Sequence, residues 1–331
     1  MLVQVQNLPH DVPVAMDTAI RLVKNGNARG VKLMYGHIST SLSHLIRAAF
    51  VAPEGSLLCV SDFSAIEARV LSWLADEKWR QDVFAKGGDI YCASASSMFG
   101  VPVEKHGING HLRQKGKVAE LALGYQGGPP ALITMGALKQ GLTEDELPDI
   151  VHRWRGANPR ICGLWYDVDG AALSVMSDAR PVGLPHGILI SRECNLLYGY
   201  DYLTIQLPSG RKLYYPQPYI NENQFGKPAL HYRVQAGIKW SHTSTYGGKL
   251  VENITQAIAR DCLALAINRL VKAGYKPLMH IHDEVVLEVP KDKIHEDEID
   301  RINQIMCAPI PWAPGLLLNA DGFISPYYTK D

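Results

Sequence analysis

No stretch of this chain reaches the run of about 18 apolar residues that a membrane span requires, and the opening MLVQVQNLPHDVP has no basic region followed by an apolar one. A spanning helix and a secretory leader are not expected; a soluble, cytoplasmic protein is. Net charge is missing too. Thirty-three Lys+Arg balance 33 Asp+Glu, so any site for a polyanion must be local. The six cysteines form no C-x-x-C pair, and no nearby histidine completes a zinc spacing; scattered reduced thiols fit a cytosolic protein. Compositional bias and internal repeats are also lacking. With 20% charged and 8% aromatic residues, 29 Gly and 20 Pro, the chain is neither disordered nor collagen-like. What is there is 331 residues, 47% of them hydrophobic, enough for a sizeable core in two domains or one large composite.

The hydrophobic pattern divides the chain. In TSLSHLIRAAF, Leu42, Leu45, Ile46 and Phe50 share one helical face, and Pro53-Glu54-Gly55 stops the helix. SLLCVSDF then reads as a buried strand ending near Asp62. A helix follows in SAIEARVLSWLADEKW, where Ser64 and Glu67 have the spacing of a capping box. Residues 81–180 carry helical periodicity throughout. From about 185 to 232 a sheet resumes, with DYLTIQL and RKLYYP as a hairpin around Pro-Ser-Gly. Residues 245–273 form one long amphipathic helix closed by Gly274, and LMHIHDEVVLEV gives two strands around a His-Asp-Glu tip. The tail supplies another helix, a Pro-rich loop and the apolar run GLLLNA.

Three groups of residues carry candidate chemistry. Asp62 ends one apolar strand, and Asp283 with Glu284 sits at the tip of a β-hairpin. A carboxylate at the end of a buried strand is costly to desolvate without a counter-ion, and hard cations such as Mg²⁺ prefer oxygen ligands. Two such carboxylates could hold two ions roughly 3.5–4 Å apart, the arrangement that serves phosphoryl transfer. Equally, Asp62 could cap a helix and Asp283 could be a turn residue. The third group is Arg113, Lys117, Leu121 and Tyr125, which repeat every four residues along one helix face. Such a stripe could grip a polyphosphate at its basic end and a base at its aromatic end, or be a solvated face running into a core. Gly124 and Gly127-Gly128-Pro129-Pro130 beside it suggest a mobile helix or a close contact.

Taken in this order, SDFSAIEARVLSWLA, RQKGKVAELALGYQGG and MHIHDEVVLEV resemble the polymerase domain of family A DNA polymerases, the DNA polymerase I type, most closely the bacteriophage members. The resemblance covers nearly the whole chain, from QNLP at 6–9 onward. It implies an α+β fold: an antiparallel palm sheet flanked by helices, with an inserted all-helical fingers subdomain. The implied divisions are 1–80 for the N-terminal palm, 81–184 for the fingers and 185–331 for the C-terminal palm. It also implies DNA-directed DNA synthesis from dNTPs on a primer-template, with two Mg²⁺ ions, replaceable by Mn²⁺, on Asp62 and Asp283. Glu284 and Lys117 join the catalytic set. Arg113, Lys117, Leu121, Tyr125, Glu67 and Tyr91 are implied at the dNTP, and Gln256, His282 and Arg69 at the DNA. If the source is viral, the place of action is the host cytosol.

The chain departs from the family pattern at several positions. Leu121 stands where the family usually has an aromatic residue, Tyr91 where many relatives have a phosphate-contacting histidine, and Glu252 where relatives commonly carry an amide. The thumb, the Thr-Gly-Arg primer-strand segment and any exonuclease domain of full-length relatives have no counterpart here. That leaves an excised piece, or a naturally split gene in which a second polypeptide supplies the thumb and this chain is dependent on it. A two-metal hydrolase would use the same carboxylates without needing the stripe. An incomplete polymerase should expose apolar residues within its first 50 positions, where a missing partner would pack.

Overall fold

The computed structural model describes residues 5–9, 13, 15–195, 197 and 199–329. The expected divisions 1–80 and 185–331 thus begin and end on residues outside the described ones. Helices α1 (Met16–Lys24), α2 (Ala28–Tyr35) and α3 (Ile38–Leu45) precede strand β1 (Ser56–Phe63). Next come α4 (Ile66–Leu74), α5 (Lys78–Ala85), α6 (Ile90–Phe99), α7 (Arg113–Leu123), α8 (Pro129–Thr134), α9 (Leu147–Ala157) and α10 (Pro159–Asp178). Strands β2 (Val182–Leu184), β3 (Ile188–Asn195), β4 (Tyr200–Gln206), β5 (Lys212–Pro216), β6 (Tyr219–Glu222), β7 (Pro228–Ala236) and β8 (Lys239–Ser244) follow. The chain closes with α11 (Gly247–Lys272), β9 (Lys276–Ile281), β10 (Glu284–Pro290), α12 (Glu298–Cys307) and β11 (Ala320–Ser325). This is the expected mixture of helices and antiparallel sheets, with a helical block between β1 and the later strands.

Two compact units result. The first comprises Met1–Ser64, Cys262–Ala308 and Leu318–Asp331. Its sheet has the order β11-β1-β10-β9, all antiparallel. β1 reads as an unbroken apolar run because both of its faces are covered. Leu58 and Val60 join Ile281, Val286 and Tyr328 in a core cluster on one face. On the other face, fully buried Ser61 donates to Asn303 Oδ1 of α12 at 2.6 Å. β11 begins on the last residue of the apolar run GLLLNA, in which Leu317 is exposed.

The second unit comprises Ala65–Asp261 and Pro309–Leu317. Its helices surround a buried polar centre: Glu120 of α7 is ion-paired with Arg80 and accepts from Ser94 Oγ (2.5 Å) and Trp154 Nε1 (2.9 Å). Residues 182–244 form two sheets of their own, β2-β3-β4-β5 and β6-β7-β8, rather than a continuation of the β1 sheet. The hairpin around Pro-Ser-Gly is β4–β5, with Leu203 opposite Tyr215. The long helix is α11, which contributes residues to both units.

Three local expectations change. The capping box does not form: Ala65 precedes α4 in the left-handed region (φ 51°), and Ser64 Oγ instead donates to Asp321 Oδ2 at 2.9 Å. The helix expected through Trp79 breaks into α4 and α5 at Asp76, whose φ of 51° ends an α-helical path. The face expected in residues 40–50 is also split. Leu45 is buried and Phe50 packs against the first unit's core, while Leu42 and Ile46 are exposed.

Candidate active site

In the first unit, strand register creates a row of acids. β1 lies between β10 and β11 with Asp62 opposite Glu284 on one side and Asp321 on the other. Directly opposed residues of antiparallel strands share a face, so all three carboxylates point the same way, at the end of an apolar row made by Val60, Val286 and Phe323. A cavity of about 240 Å³ is lined by Asp62, Ser64, Glu284 and Asp321 together with Val60 and Phe323. Asp321 was not singled out in the sequence; an acid in Asn-Ala-Asp-Gly carries no signal until the register sets it beside Asp62.

Glu284 is 1% exposed and is held from below. The Tyr328 hydroxyl donates to its Oε1 at 2.7 Å, and Arg47 Nη1 donates to that hydroxyl at 3.0 Å. Arg47 also donates to the carbonyls of Leu8 and Pro9, so the QNLP segment is tied to the same network. Burial first, and then the bond to Glu284, push the Tyr328 hydroxyl pKa well above the usual tyrosine range. Asp283 and His282 form the two-residue turn between β9 and β10, since Ile281 pairs with Glu284. His282 takes a φ of 54°, as the first position of such tight hairpin turns requires, and is exposed; Asp283 is half-buried, and its carbonyl accepts from the Phe63 N–H at 3.3 Å.

The donor set of this region is all oxygen, which suits a hard cation. Among the described residues no three His, Cys, Asp or Glu side chains are gathered into a ready-made metal cluster. The all-oxygen donor set fits Mg²⁺, which is usually held by one or two carboxylates with waters and substrate phosphates completing its shell.

In the second unit, α7 presents Arg113, Lys117 and Leu121 on its accessible side while Val118, Ala119, Ala122 and Leu123 are buried. The helix ends at Leu123, so Tyr125 falls just beyond it rather than on the stripe's last turn. Arg113 Nε is paired with Asp89 Oδ2 at 2.7 Å and lies over the Tyr91 ring at 5.2 Å. Lys117 Nζ lies over the same ring at 5.9 Å and makes no ion pair among the described residues. Burial, with the nearby Glu120 charge, raises the Tyr91 pKa, so its ring is a neutral phenol between two cations. Leu121 is 40% exposed.

Glu67, Tyr125 and Gln256 are brought together directly. The Tyr125 hydroxyl donates to Glu67 Oε2 at 3.2 Å, and Gln256 Nε2 donates to Glu67 Oε1 at 3.3 Å. Burial and the adjacent Glu67 charge raise the Tyr125 pKa well above the ordinary value. Glu252 is paired with Lys249 at 2.9 Å, so its charge is offset locally. Arg69 lies elsewhere: it is 7% exposed, donates to the Leu317 carbonyl at 3.0 Å and sits over the Phe84 ring at 4.4 Å. The glycines beside the stripe mark close contact. A Cβ on Gly116 would lie 2.1 Å from the Tyr91 carbonyl oxygen, and the Gly124 carbonyl accepts from Trp165 Nε1 at 2.8 Å.

The fold is that of a nucleic-acid polymerase domain. It is similar to the POL domain of Pol1 from M. smegmatis, solved in complex with DNA primer-template and dNTP, with a TM-score of 0.59 and 19% identity over 88% of this chain and 43% of that one. Residues 16–145 match the family described as DNA polymerase family A. A DNA polymerase of Bacillus phage SP02 is 53% identical over 333 residues, covering 100% of this chain and 50% of the relative. The thermostable DNA polymerase I of Thermus thermophilus is 27% identical over 260 residues, covering 77% of this chain and 25% of the relative. Over residues 16–145 the chain is similar to DNA polymerase family A, and over its whole length to a phage DNA polymerase. It spans about half the length of the phage relative and about a quarter of the bacterial one.

Proposed function

We propose that this chain carries the nucleotidyl-transfer core of a DNA-directed DNA polymerase, extending a primer 3′ end with dNTPs on a DNA template. Asp62 and Asp283 would hold the divalent ions, Mg²⁺ or Mn²⁺, and those ions would lower the charge barrier to an in-line displacement at the α-phosphorus. In that displacement the primer 3′-oxygen loses its proton and bonds to phosphorus, and pyrophosphate departs with the broken bond's electron pair. Lys117 neutralises the triphosphate and the charge growing on the leaving group. Arg113 reaches the phosphates by exchanging its Asp89 partner for them. Leu121 and Tyr125 present the apolar and aromatic part of the surface to the base. Glu67, fixed by Tyr125 and Gln256, crowds the sugar and disfavours a ribonucleotide. Gln256 and His282 contact the nascent duplex. Arg69 acts as scaffold, because its guanidinium is already engaged inside the second unit. The palm and fingers divisions named from the sequence belong to this reading.

One observation favours this over a two-metal hydrolase: Lys117 sits on an accessible helix face without a carboxylate partner among the described residues, beside an exposed Leu121, where a triphosphate and a base have complementary places. A primer-extension assay run beside a nuclease assay tests it. Templated incorporation that requires Mg²⁺ and falls with Lys117→Ala is expected; nuclease activity indifferent to Lys117 would reject it.

A second reading, that a further polypeptide or segment supplies a thumb, has its own support. In the first unit, Leu33 is 86% exposed, Met34 55%, Leu42 44% and Ile46 42%, an unusual density of large apolar side chains on α2, α3 and the residue that follows α3. Extension by this chain alone would then be short, salt-sensitive and rescued by adding that thumb. Long, salt-resistant products from the chain by itself would exclude this second reading.

A further inference from the structure

The β6–β7–β8 sheet has two unlike faces. On one, Leu230 is fully buried, and Tyr232 meets Tyr215 edge-on with ring centroids 5.0 Å apart. The register puts the alternate residues Tyr219, His231, Arg233, Trp240 and His242 on the opposite face. The contacts agree. Tyr219 stacks on His231 at 5.2 Å and meets His242 edge-on at 5.5 Å, while the Arg233 guanidinium lies over the Trp240 ring at 5.2 Å. Trp240 is nevertheless 54% exposed. The remaining residues of this face, Asn221, Gln235 and Ser244 among them, include no carboxylate.

Cross-strand ring pairs contribute roughly 0.2–1 kcal/mol each to sheet stability, and that would account for the rings alone. It does not account for the charge. In a chain whose acids and bases balance, an accessible face with a guanidinium and no acid is a local departure. His231 Nε2 is screened from solvent yet finds no hydrogen-bond partner among the described residues, so the face also holds an unused polar atom. Rings on an antiparallel sheet beside a guanidinium form a platform on which successive bases stack while a backbone phosphate is neutralised.

We propose that this face of the β6–β7–β8 ribbon binds single-stranded DNA, as a contact separate from the catalytic residues. The choice of DNA as the polymer rests on the polymerase reading; the charge and ring arguments stand without it. None of the five residues has a role in the catalytic set, so the ribbon acts on affinity for unpaired template rather than on the chemical step.

The test measures fluorescence anisotropy of a labelled oligothymidylate of about 12 nucleotides, within the span of one stacking platform, titrated with the full chain. Trp240→Ala should weaken binding about tenfold, and Trp240→Phe should retain most of the affinity, since a base stacks on either ring. Arg233→Gln should flatten the slope of log affinity against log salt by about 0.7, the counterion release of one phosphate contact on a single strand. Primer extension at saturating primer-template should keep its unsubstituted rate in all three variants, which separates failure of this surface from failure of the catalytic reading. Unchanged oligothymidylate affinity and salt slope in Trp240→Ala and Arg233→Gln would overturn the proposal, as would be the case if a protein or a second copy of the chain covers this face instead.

Discussion

The acid row of the first unit and the cationic stripe of the second are built by opposite means. Asp62, Glu284 and Asp321 become neighbours only through the register of three strands drawn from both ends of the chain. Arg113, Lys117 and Leu121 are neighbours because one helix repeats. The supports differ as well. Glu284 leans on Tyr328 and Arg47, 44 and 237 residues away in sequence, by bonds that are themselves buried. Lys117 leans on a single tyrosine ring and stays accessible. The first arrangement is rigid and depends on the whole unit; the second is local and leaves a cation available for an incoming anion.

The largest expected effect is at the two carboxylates proposed to hold the metal ions, one in the acid row and one in the adjoining turn. Asp62→Ala or Asp283→Ala should reduce single-turnover incorporation by on the order of a thousandfold or more, with the thermal midpoint nearly unchanged, because on the proposed reading each removes a metal ligand from an edge that carries little core packing. Near-normal extension by either folded variant would dissolve the contrast. Next is the buried centre behind the stripe: Glu120→Ala leaves Arg80 charged and unpaired in the interior, which should cost about 3–5 kcal/mol in a denaturant titration. A loss below about 1 kcal/mol would show that the second unit does not depend on this pair.

Lys117→Ala should spare stability and lower kcat/KM for dNTP by roughly 10–100-fold, about 1.4–2.7 kcal/mol. Unchanged kinetics across a dNTP titration would reduce the stripe to a solvated face. Leu121→Tyr is expected to change dNTP and dideoxynucleotide use only a few-fold, by restoring a ring beside the nucleotide. No change in either would show that Leu121 faces away from it.

The smallest effect sharpens the comparison through pH. Tyr275 in the first unit and Tyr215 in the second are both pushed up to about 12, chiefly by burial. Each keeps its proton in the folded state while the unfolded chain loses it near pH 10, so stability from these groups is complete below about pH 10 and declines as pH rises toward 12. Tyr215→Phe and Tyr275→Phe should each flatten that decline in chemical denaturation. An unaltered alkaline slope in both would remove burial of these hydroxyls as its cause.

What could be read in advance follows the same division. β1, the β4–β5 and β9–β10 hairpins, α7 and α11 were legible because their periodicity, turn residues and lengths are local. The stripe was legible for the same reason, except that Tyr125 falls past the helix end. Asp321 and Tyr328 were not, since only long-range register gives them meaning. The Ser64 capping box failed for a related cause: a strand from the far end of the chain offers its hydroxyl a carboxylate. The separate sheets of residues 182–244 look like one resumed sheet in the sequence because alternation shows that a segment is a strand, not which strand it joins.

The close approach at Gly116 fixes a spacing. With no side chain there, α7 rests on the backbone of α6 at Tyr91, and the two helices have no cushion of side chains over which to slide at that point. The Arg113 and Lys117 cations of α7 and the Tyr91 phenol of α6 are therefore spaced by a direct backbone contact, and any side chain at position 116 would force the two helices apart and pull the cations off the ring they share.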